Sequence, residues 1–257
     1  MNFLISLFKR KLNSKAFPFD FLDVDFHNHI LPGLDDGAKD HSSSISLLVE
    51  LKKLGFSKVI SSPKTVTQKY PNTPKSILRR YSTLINSIDS SSRILPDLAS
   101  PTSLYALDID FPHIRQSGDL LTTEDGYVLV YFVDSVALST MEAEIFELIY
   151  AGYKPVLIHP EKYISLHGNA LYFESLVSRG CYLSLSLLSL QEVHGKAVQK
   201  MAFKLLENQL YSFVGTGIKN QSHVKVLQNL ASDRRIMKKL MEYPFENTQL
   251  INRNSPL

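Results

Sequence analysis

The stretch that decides the fold of this chain is Asp25-Phe26-His27-Asn28-His29, followed by Leu31-Pro32-Gly33-Leu34-Asp35-Asp36-Gly37. The apolar run that includes Val24 and Phe26 predicts a short buried strand, in which residues two apart point to the same side. His27 and His29 therefore share a face and offer two imidazoles to a divalent metal. The Pro-Gly turn that follows can return Asp35 and Asp36 toward the same strand end. The sequence thus predicts a metal site at the end of the first strand.

The rest of the chain alternates buried strands with amphipathic helices, and it contains no low-complexity linker and no internal repeat. This alternation predicts an α/β fold built on a parallel barrel, with the site at the C-terminal ends of the strands. The predicted domain organisation is an N-terminal extension over residues 1–18, one barrel domain over 19–242, and a loosely ordered C-terminal tail over 243–257.

Local signals define several elements. Ser42, Ser43 and Ser44 are candidate caps for the first helix, which the spacing of leucines predicts to end at Gly55. The apolar pairs and runs that follow predict a second strand at 58–61 and a short third strand at Ile94-Leu95.

Composition excludes several classes of function. A formal net charge of +3 over 257 residues gives no electrostatic case for nucleic-acid binding. The single cysteine, Cys181, excludes a disulfide framework, fits a reducing compartment and predicts a buried structural thiol. A thiol phosphatase is disfavoured because its Cys-x5-Arg loop would need arginine at Leu187.

The N-terminal residues carry a short apolar run followed by Lys9-Arg10-Lys11. This order is the reverse of a signal peptide, and the run is too short to span a bilayer. Two interpretations stay open: a frayed extension, and contact of residues 1–11 with an anionic membrane surface. We therefore expect a cytoplasmic protein, with a peripheral position at the inner face of the membrane under the second interpretation.

Four motifs together resemble the PHP-type bacterial protein tyrosine phosphatases, over about residues 23–220. The motifs are Asp-x-His-x-His at 25–29, Leu-Pro-Gly-x-Asp-Asp-Gly-Ala-Lys at 31–39, Gly-Tyr-Lys-Pro-Val at 152–156 and His-Pro-Glu-Lys-Tyr at 159–163. The resemblance implies a distorted (β/α)7 barrel and a metal-dependent enzyme, usually with manganese. It also implies a partner: the tyrosine-rich tail of a membrane tyrosine kinase that controls capsule or exopolysaccharide export.

The resemblance implies that His27, His29, Asp36 and His159 are metal ligands retained from the family. At other ligand positions this chain departs from the family pattern. Lys64 stands where the family has histidine, and Gly217 and Lys219 stand where the family has an Asp-x-His pair. Lys162 replaces an arginine that is expected to bind phosphate, so it keeps the charge but loses the planar fork.

The family's bridging glutamate is also missing. Its position is Leu104 in one alignment and Ala99 in another, and no glutamate occurs between Ser92 and Thr123. Two negative charges are therefore lost and two lysines are gained in one cleft. We expect that several divalent cations do not bind there. The resemblance implies that Asp36 and the two lost histidines surround one metal, which leaves two possibilities for the lysines. Lys64 and Lys219 reach Asp36 and form an anion-binding pocket with Lys162, or both lysines point to solvent and the site has merely drifted.

Three functions stay open at this point. The first is a catalytically degenerate phosphatase relative, a pseudoenzyme that binds a phosphorylated or acidic tyrosine-rich partner. The second is an active phosphotyrosine phosphatase with a single metal on His27, His29 and His159. The third is a scaffold with a vestigial site. The cofactor is accordingly none or one divalent metal, and the sequence leaves the oligomeric state open.

Overall fold

The computed structural model describes residues 17–88 and 94–250 of the chain. In chain order its strands are β1 (Val24–Asn28), β2 (Lys58–Ser61), β3 (Lys64–Thr65), β4 (Asp97–Leu98), β5 (Leu104–Ala106), β6 (Tyr127–Tyr131), β7 (Lys154–Ile158), β8 (Tyr182–Ser186) and β9 (Phe213–Gly215). Its α-helices are α1 (His41–Leu54), α2 (Pro74–Ser87), α3 (Phe111–Gln116), α4 (Leu138–Tyr150), α5 (Ala170–Ser178), α6 (Lys196–Glu207), α7 (Gln221–Ser232) and α8 (Arg234–Glu242).

The strands form a closed, distorted parallel barrel. Pairing is parallel throughout, in the orders β1-β2-β4 and β3-β5-β6-β7-β8-β9. β2 and β3 lie on one bent segment, as do β4 and β5, so the nine strands occupy seven positions. Just beyond β9, Gly217 N donates to His27 O at 2.9 Å, and His29 N donates to Ile218 O at 3.0 Å. These bonds close the ring and confirm the predicted seven-position barrel.

The interior of the barrel is apolar because alternate strand residues point inward. Phe26 of β1 stacks on Phe213 of β9 with ring centroids 4.3 Å apart, and the ring of Tyr127 meets both edge-on. The helices pack on the outside through their own apolar stripes. Helix α1, for example, buries Leu47 and Leu51. The functional side chains are left at the rim where the strands end.

Helix α1 begins differently from the prediction. Its N-cap is Asp40, whose carboxylate accepts from Ser43 N at 2.8 Å, while Ser43 Oγ accepts from Asp40 N at 3.1 Å. The prediction of a serine cap at positions 42–44 is therefore wrong, because Ser43 is the third helical residue of a capping box. The predicted end is confirmed: Gly55 has φ 108° and terminates the helix.

The third strand lies later in the chain than predicted. Ile94 is 64% exposed, and strand pairing with β2 begins only at Asp97, whose N donates to Ser57 O at 2.7 Å. Pro96 has no backbone N–H and cannot enter the ladder, so the strand starts after it. The prediction of a strand at Ile94-Leu95 is wrong for this reason.

Part of the predicted tail, residues 243–250, packs on the barrel. The buried side chain of Asn247 accepts from Val214 N at 3.0 Å and donates to Val214 O at 2.7 Å and to Val24 O at 2.9 Å. Asn247 thus ties β9 and β1 together, and the prediction of a loose end from residue 243 is wrong as far as Leu250.

No helix in the described ranges combines the length and apolarity needed to cross a bilayer. Residues 1–11, for which a frayed extension and contact with a membrane surface both stay open, lie outside the described residues.

Cys181 is buried, and its Sγ donates to Tyr182 O at 3.4 Å. Burial raises the pKa of the thiol to about 12. We therefore expect a disulfide reagent such as DTNB to leave the native protein unlabelled at pH 8, where the thiolate fraction is on the order of 10⁻⁴. The same protein in guanidinium chloride should release one equivalent of chromophore. Rapid labelling of the native protein would contradict the buried position of this side chain.

Candidate anion- and metal-binding site

A cleft of about 480 Å³ opens at the C-terminal ends of the strands. Six of the predicted site residues line it: His27, His29, Lys64, His159, Lys162 and Lys219. The seventh, Asp36, contacts two of these lysines at the edge of the cleft. The structure therefore brings together residues that are separated by almost 200 positions in the sequence.

His27, in β1, and His29, just after β1, each make a hydrogen bond through the Nδ1 atom of the ring. The ring centroids of His27 and His29 are 4.8 Å apart, and those of His27 and His159 are 5.0 Å apart. His27 Nδ1 contacts Ser62 Oγ, and His29 Nδ1 lies 2.6 Å from Asp35 Oδ2. Burial lowers the pKa of both rings, so each is neutral at pH 7 and the Asp35 contact is a hydrogen bond from a neutral imidazole.

Asp35 has a role that the sequence did not reveal. Its carboxylate accepts from the His29 ring, from Lys64 N at 2.9 Å and from Gly37 N at 2.9 Å. Burial alone would raise the pKa of Asp35, but these partners outweigh it and lower the pKa. A Cβ at Gly37 would lie 2.1 Å from His29 O, so only glycine lets the turn return this closely. Asp35 thus orients His29 and anchors the start of β3.

Asp36 binds two lysine ammonium groups. Lys219 Nζ lies 2.7 Å and Lys64 Nζ 3.1 Å from its carboxylate oxygens. Burial would raise the pKa of Asp36, but Lys219 and Lys64 hold it far below its ordinary range. The lysine side chains are 24% and 21% exposed, and the Asp36 side chain is 40% exposed, so the cluster sits at the mouth of the cleft. Of the two possibilities that the sequence left open, the structure has the one in which both lysines reach Asp36.

His159 lies just beyond β7 in a left-handed backbone conformation, with φ 54°. Such a conformation costs a non-glycine residue about 1 kcal/mol or more and marks a position held for its side chain. Lys162 Nζ lies 3.1 Å from His159 Nδ1. Burial lowers the pKa of His159 well below its usual range and that of Lys162 to about 8, so a neutral ring faces an ammonium at pH 7. An ammonium can only donate, which leaves the ring proton on Nε2.

The two positions where carboxylates are missing also lie in the cleft. Leu104 lines it beside Lys64, its partner in the β3–β5 ladder, whereas Ala99 lines a different cavity. Of the two positions considered for the missing glutamate, Leu104 is the one that lines this cleft. Gly217 has φ 60°, and a Cβ there would lie 3.1 Å from His159 Cε1. At these two positions the cleft is lined by the apolar side chain of Leu104 and by the backbone of Gly217, and neither supplies a carboxylate.

Further polar residues of the site were not foreseen. Glu161 is buried and accepts from Ser186 N at 3.1 Å and from Tyr211 OH at 3.0 Å, which fixes the turn that carries Lys162. His194 and His223 also line the cleft. Their sequence contexts show no strand end or motif, so periodicity alone could not have found them.

Similarity to known proteins agrees with this geometry. The sequence profile of the family described as "Capsular polysaccharide synthesis, CpsB/CapC" matches residues 23–254. This chain belongs to the CpsB/CapC family. It is 26% identical over 201 residues to the tyrosine-protein phosphatase YwqE of Bacillus subtilis, covering 77% of both chains. It is 23% identical over 203 residues to the tyrosine-protein phosphatase CpsB of Streptococcus agalactiae serotype III, covering 77% of this chain and 83% of that protein.

A solved structure from a study of B. subtilis YwqE and Streptococcus pneumoniae CpsB, described as unique metal-dependent tyrosine phosphatases, superposes with a TM-score of 0.76. The superposition covers 91% of this chain and 96% of that one, at 23% identity. The lactonase Lmo2620 of Listeria monocytogenes shares the fold more distantly, with a TM-score of 0.50 and 11% identity. The resemblance inferred from the motifs and the predicted fold class are both confirmed.

The residues present in this CpsB/CapC member do not fit a cluster of several metal ions. His29, Asp35 and Asp36 come within 4.8 Å of one another and could in principle hold one ion. However, the Asp35 oxygens are taken by His29 and backbone amides, and Asp36 is taken by two ammonium groups. Lys162 also leaves His159 with a proton at Nε2, the atom a metal would need.

Proposed function

We propose that this chain is a catalytically degenerate relative of the metal-dependent tyrosine phosphatases, a pseudoenzyme that binds the phosphorylated or acidic tyrosine-rich tail of a membrane kinase in polysaccharide export. The observation that carries the proposal is the contact of Asp36 with both Lys64 and Lys219. These ammonium groups contact the carboxylate oxygens that a metal cation would otherwise bind. Lys64, Lys219 and Lys162 then act as anion-binding groups, not as catalytic ones.

Charge explains why binding would survive while metal chemistry is lost. Relative to the family pattern, the cleft lacks carboxylates at Leu104 and Gly217 and gains ammonium groups at Lys64 and Lys219. Unit charges near 4 Å interact by about 4 kcal/mol at an effective dielectric of about 20, so this change repels divalent cations. The same change attracts a phosphate group, which lysine binds as a point charge.

A second candidate is an active phosphatase with one metal ion. It is favoured by the Nε2 atoms of His27 and His159, which are buried and have no hydrogen-bond partner among the described residues. The donor set is then His27, His29 and, if Lys162 loses its proton, His159. Manganese is the metal that the family resemblance suggests for this candidate, and phosphomonoester hydrolysis is the reaction.

Metal content and turnover separate these two functions. We expect that protein incubated with excess manganese and then desalted retains less than one equivalent of metal, and that it does not hydrolyse p-nitrophenyl phosphate above a buffer control. The control variant is His27→Ala with His29→Ala, which removes two of the three imidazoles that would hold a single metal ion. Stoichiometric metal, with turnover that this control abolishes, would establish the active enzyme and overturn the proposal.

Binding separates the pseudoenzyme from a scaffold with a vestigial site. Titration with inorganic phosphate and with a phosphotyrosine peptide should show saturable binding that competes between the two ligands. If neither ligand binds, the scaffold with a vestigial site is the remaining explanation.

We further propose a cytoplasmic location, supported by the reduced, buried Cys181 and by a partner tail that is phosphorylated inside the cell. Contact of residues 1–11 with the inner membrane face remains part of this proposal.

A further inference from the structure

A surface beside the cleft carries an unusual excess of positive charge. Between residues 51 and 88 the chain has eight lysines and arginines and no aspartate or glutamate. Five of these cations follow one another from the cleft onto helix α2, and we name them the basic track: Lys64, Lys69, Lys75, Arg79 and Arg80. Helix α2 therefore has three cations and no acidic residue to balance them.

The basic track is connected physically to the cleft. The Nδ2 of Asn72 donates to Lys64 O at 2.7 Å and to Leu34 O at 2.8 Å, which joins β3, the start of α2 and the turn that carries Asp36. The ring of Tyr70 lies under two cations of the track, 5.9 Å from Lys64 Nζ and 5.3 Å from Lys69 Nζ. The loop before α2 thus links the cleft to helix α2.

The helix part of the track borders an open groove. Leu34, Thr73, Lys75, Ser76, Arg79, Arg80 and Thr83 line a depression of about 590 Å³. Lys75 and Arg79 are exposed, and Arg80 is partly exposed. Within residues 17–88 and 94–250, none of Lys69, Lys75, Arg79 and Arg80 forms an ion pair. Their charges are therefore available to a partner.

We propose that the basic track is a docking surface for an extended acidic peptide, the segment that flanks a phosphorylated residue seated in the cleft. This inference rests on the proposed function, because the cleft provides the first anchor. From Pro74 to Arg80 the helix rises by about 9 Å, so an extended chain needs about three residues to follow it. The partner is thus a peptide with several carboxylates or phosphates beyond the one that enters the cleft.

Two synthetic phosphotyrosine peptides test this surface on the full-length protein. Both carry six flanking residues on each side, serine and glycine in the first peptide and glutamate in the second. We expect the acidic flanks to tighten binding by about tenfold at low salt, as three exposed ion pairs would. The gain should vanish near 1 M salt, where the Debye length is about 3 Å.

The triple variant Lys75→Ser, Arg79→Ser, Arg80→Ser should lose this gain and should bind the neutral-flank peptide within about twofold of the native protein. Its matched control is Lys196→Ser, Lys200→Ser, Lys204→Ser, which removes three exposed lysines from helix α6 and should keep the gain. Melting temperatures of both variants confirm that they are folded.

The other outcomes overturn the proposal in distinguishable ways. If the neutral-flank peptide binds but acidic flanks add nothing, the basic track is not a peptide surface, while the proposed function stands. If neither peptide binds the native protein, both the proposed function and this inference fail. If no gain is seen and phosphatidylserine vesicles bind through the same three residues, the track contacts a membrane surface instead.

Discussion

Changing both Lys64 and Lys219 to methionine is expected to weaken the binding of inorganic phosphate and of a phosphotyrosine peptide by at least about tenfold. Methionine keeps most of the apolar length of each side chain and removes only the ammonium. The cleft then loses two of its three cations, and Asp36 is left as an uncompensated, partly buried carboxylate that repels the ligand. Isothermal titration calorimetry at low salt measures the loss.

The same double variant should also lower the free energy of unfolding by about 1 to 2 kcal/mol, because each of its two ion pairs is partly exposed and therefore modest in strength. Those pairs join three separate segments of the barrel rim: the turn after β1, the start of β3 and the turn after β9. Chemical denaturation checks this value. The matched control is Lys196→Met with Lys200→Met, two exposed lysines on helix α6. Unchanged binding together with unchanged stability would show that Lys64 and Lys219 have no role in the site.

The sequence predicts those parts of the fold that depend on local periodicity. β2 lies at Lys58–Ser61 as predicted, because the apolar pair Val59-Ile60 follows the glycine that ends helix α1. β4 and β5, with two and three residues, are too short to produce a pattern, and their positions depend on which backbone groups β2 and β3 leave unpaired. The buried Asn247 was missed for a similar reason: an asparagine in a polar segment gives no signal of the three backbone hydrogen bonds that it makes.

The candidate site was predictable where a motif fixes the backbone and not where the contact depends on distant segments. The shared face of the His-x-His pair followed from its place at a strand end. The hypothesis that Lys64 and Lys219 reach Asp36 followed from the ligand positions that the family resemblance implies. The different contacts of Asp35 and Asp36 could not be predicted from the sequence, because the two residues are adjacent and chemically identical. Only the tight turn at Gly37 determines that Asp35 faces inward to His29 while Asp36 faces the lysines.

If substitution of the ligands is what prevents metal binding, restoring them should reverse it. We expect the combination Lys64→His, Leu104→Glu, Gly217→Asp and Lys219→His to raise the affinity for manganese by at least about a thousandfold. The change removes two positive charges and adds two negative ones around His27, His29 and His159, and two such interactions of a few kcal/mol each are sufficient for that factor. Calorimetric titration with manganese gives both the affinity and the stoichiometry, which we expect to exceed one ion per chain.

Two features of the structure limit this restoration and define its controls. Position 217 has φ 60°, which an aspartate tolerates at a cost of about 1 kcal/mol, and its Cβ would require His159 to shift by a few tenths of an ångström. A melting curve must therefore accompany the titration. The Lys64→Met, Lys219→Met protein is the control that lacks the ammonium groups without gaining ligands, and we expect it to bind at most one ion. A folded fourfold variant that binds no more manganese than this control would mean that the rim has moved away from a metal-binding geometry, and that charge alone does not explain the loss.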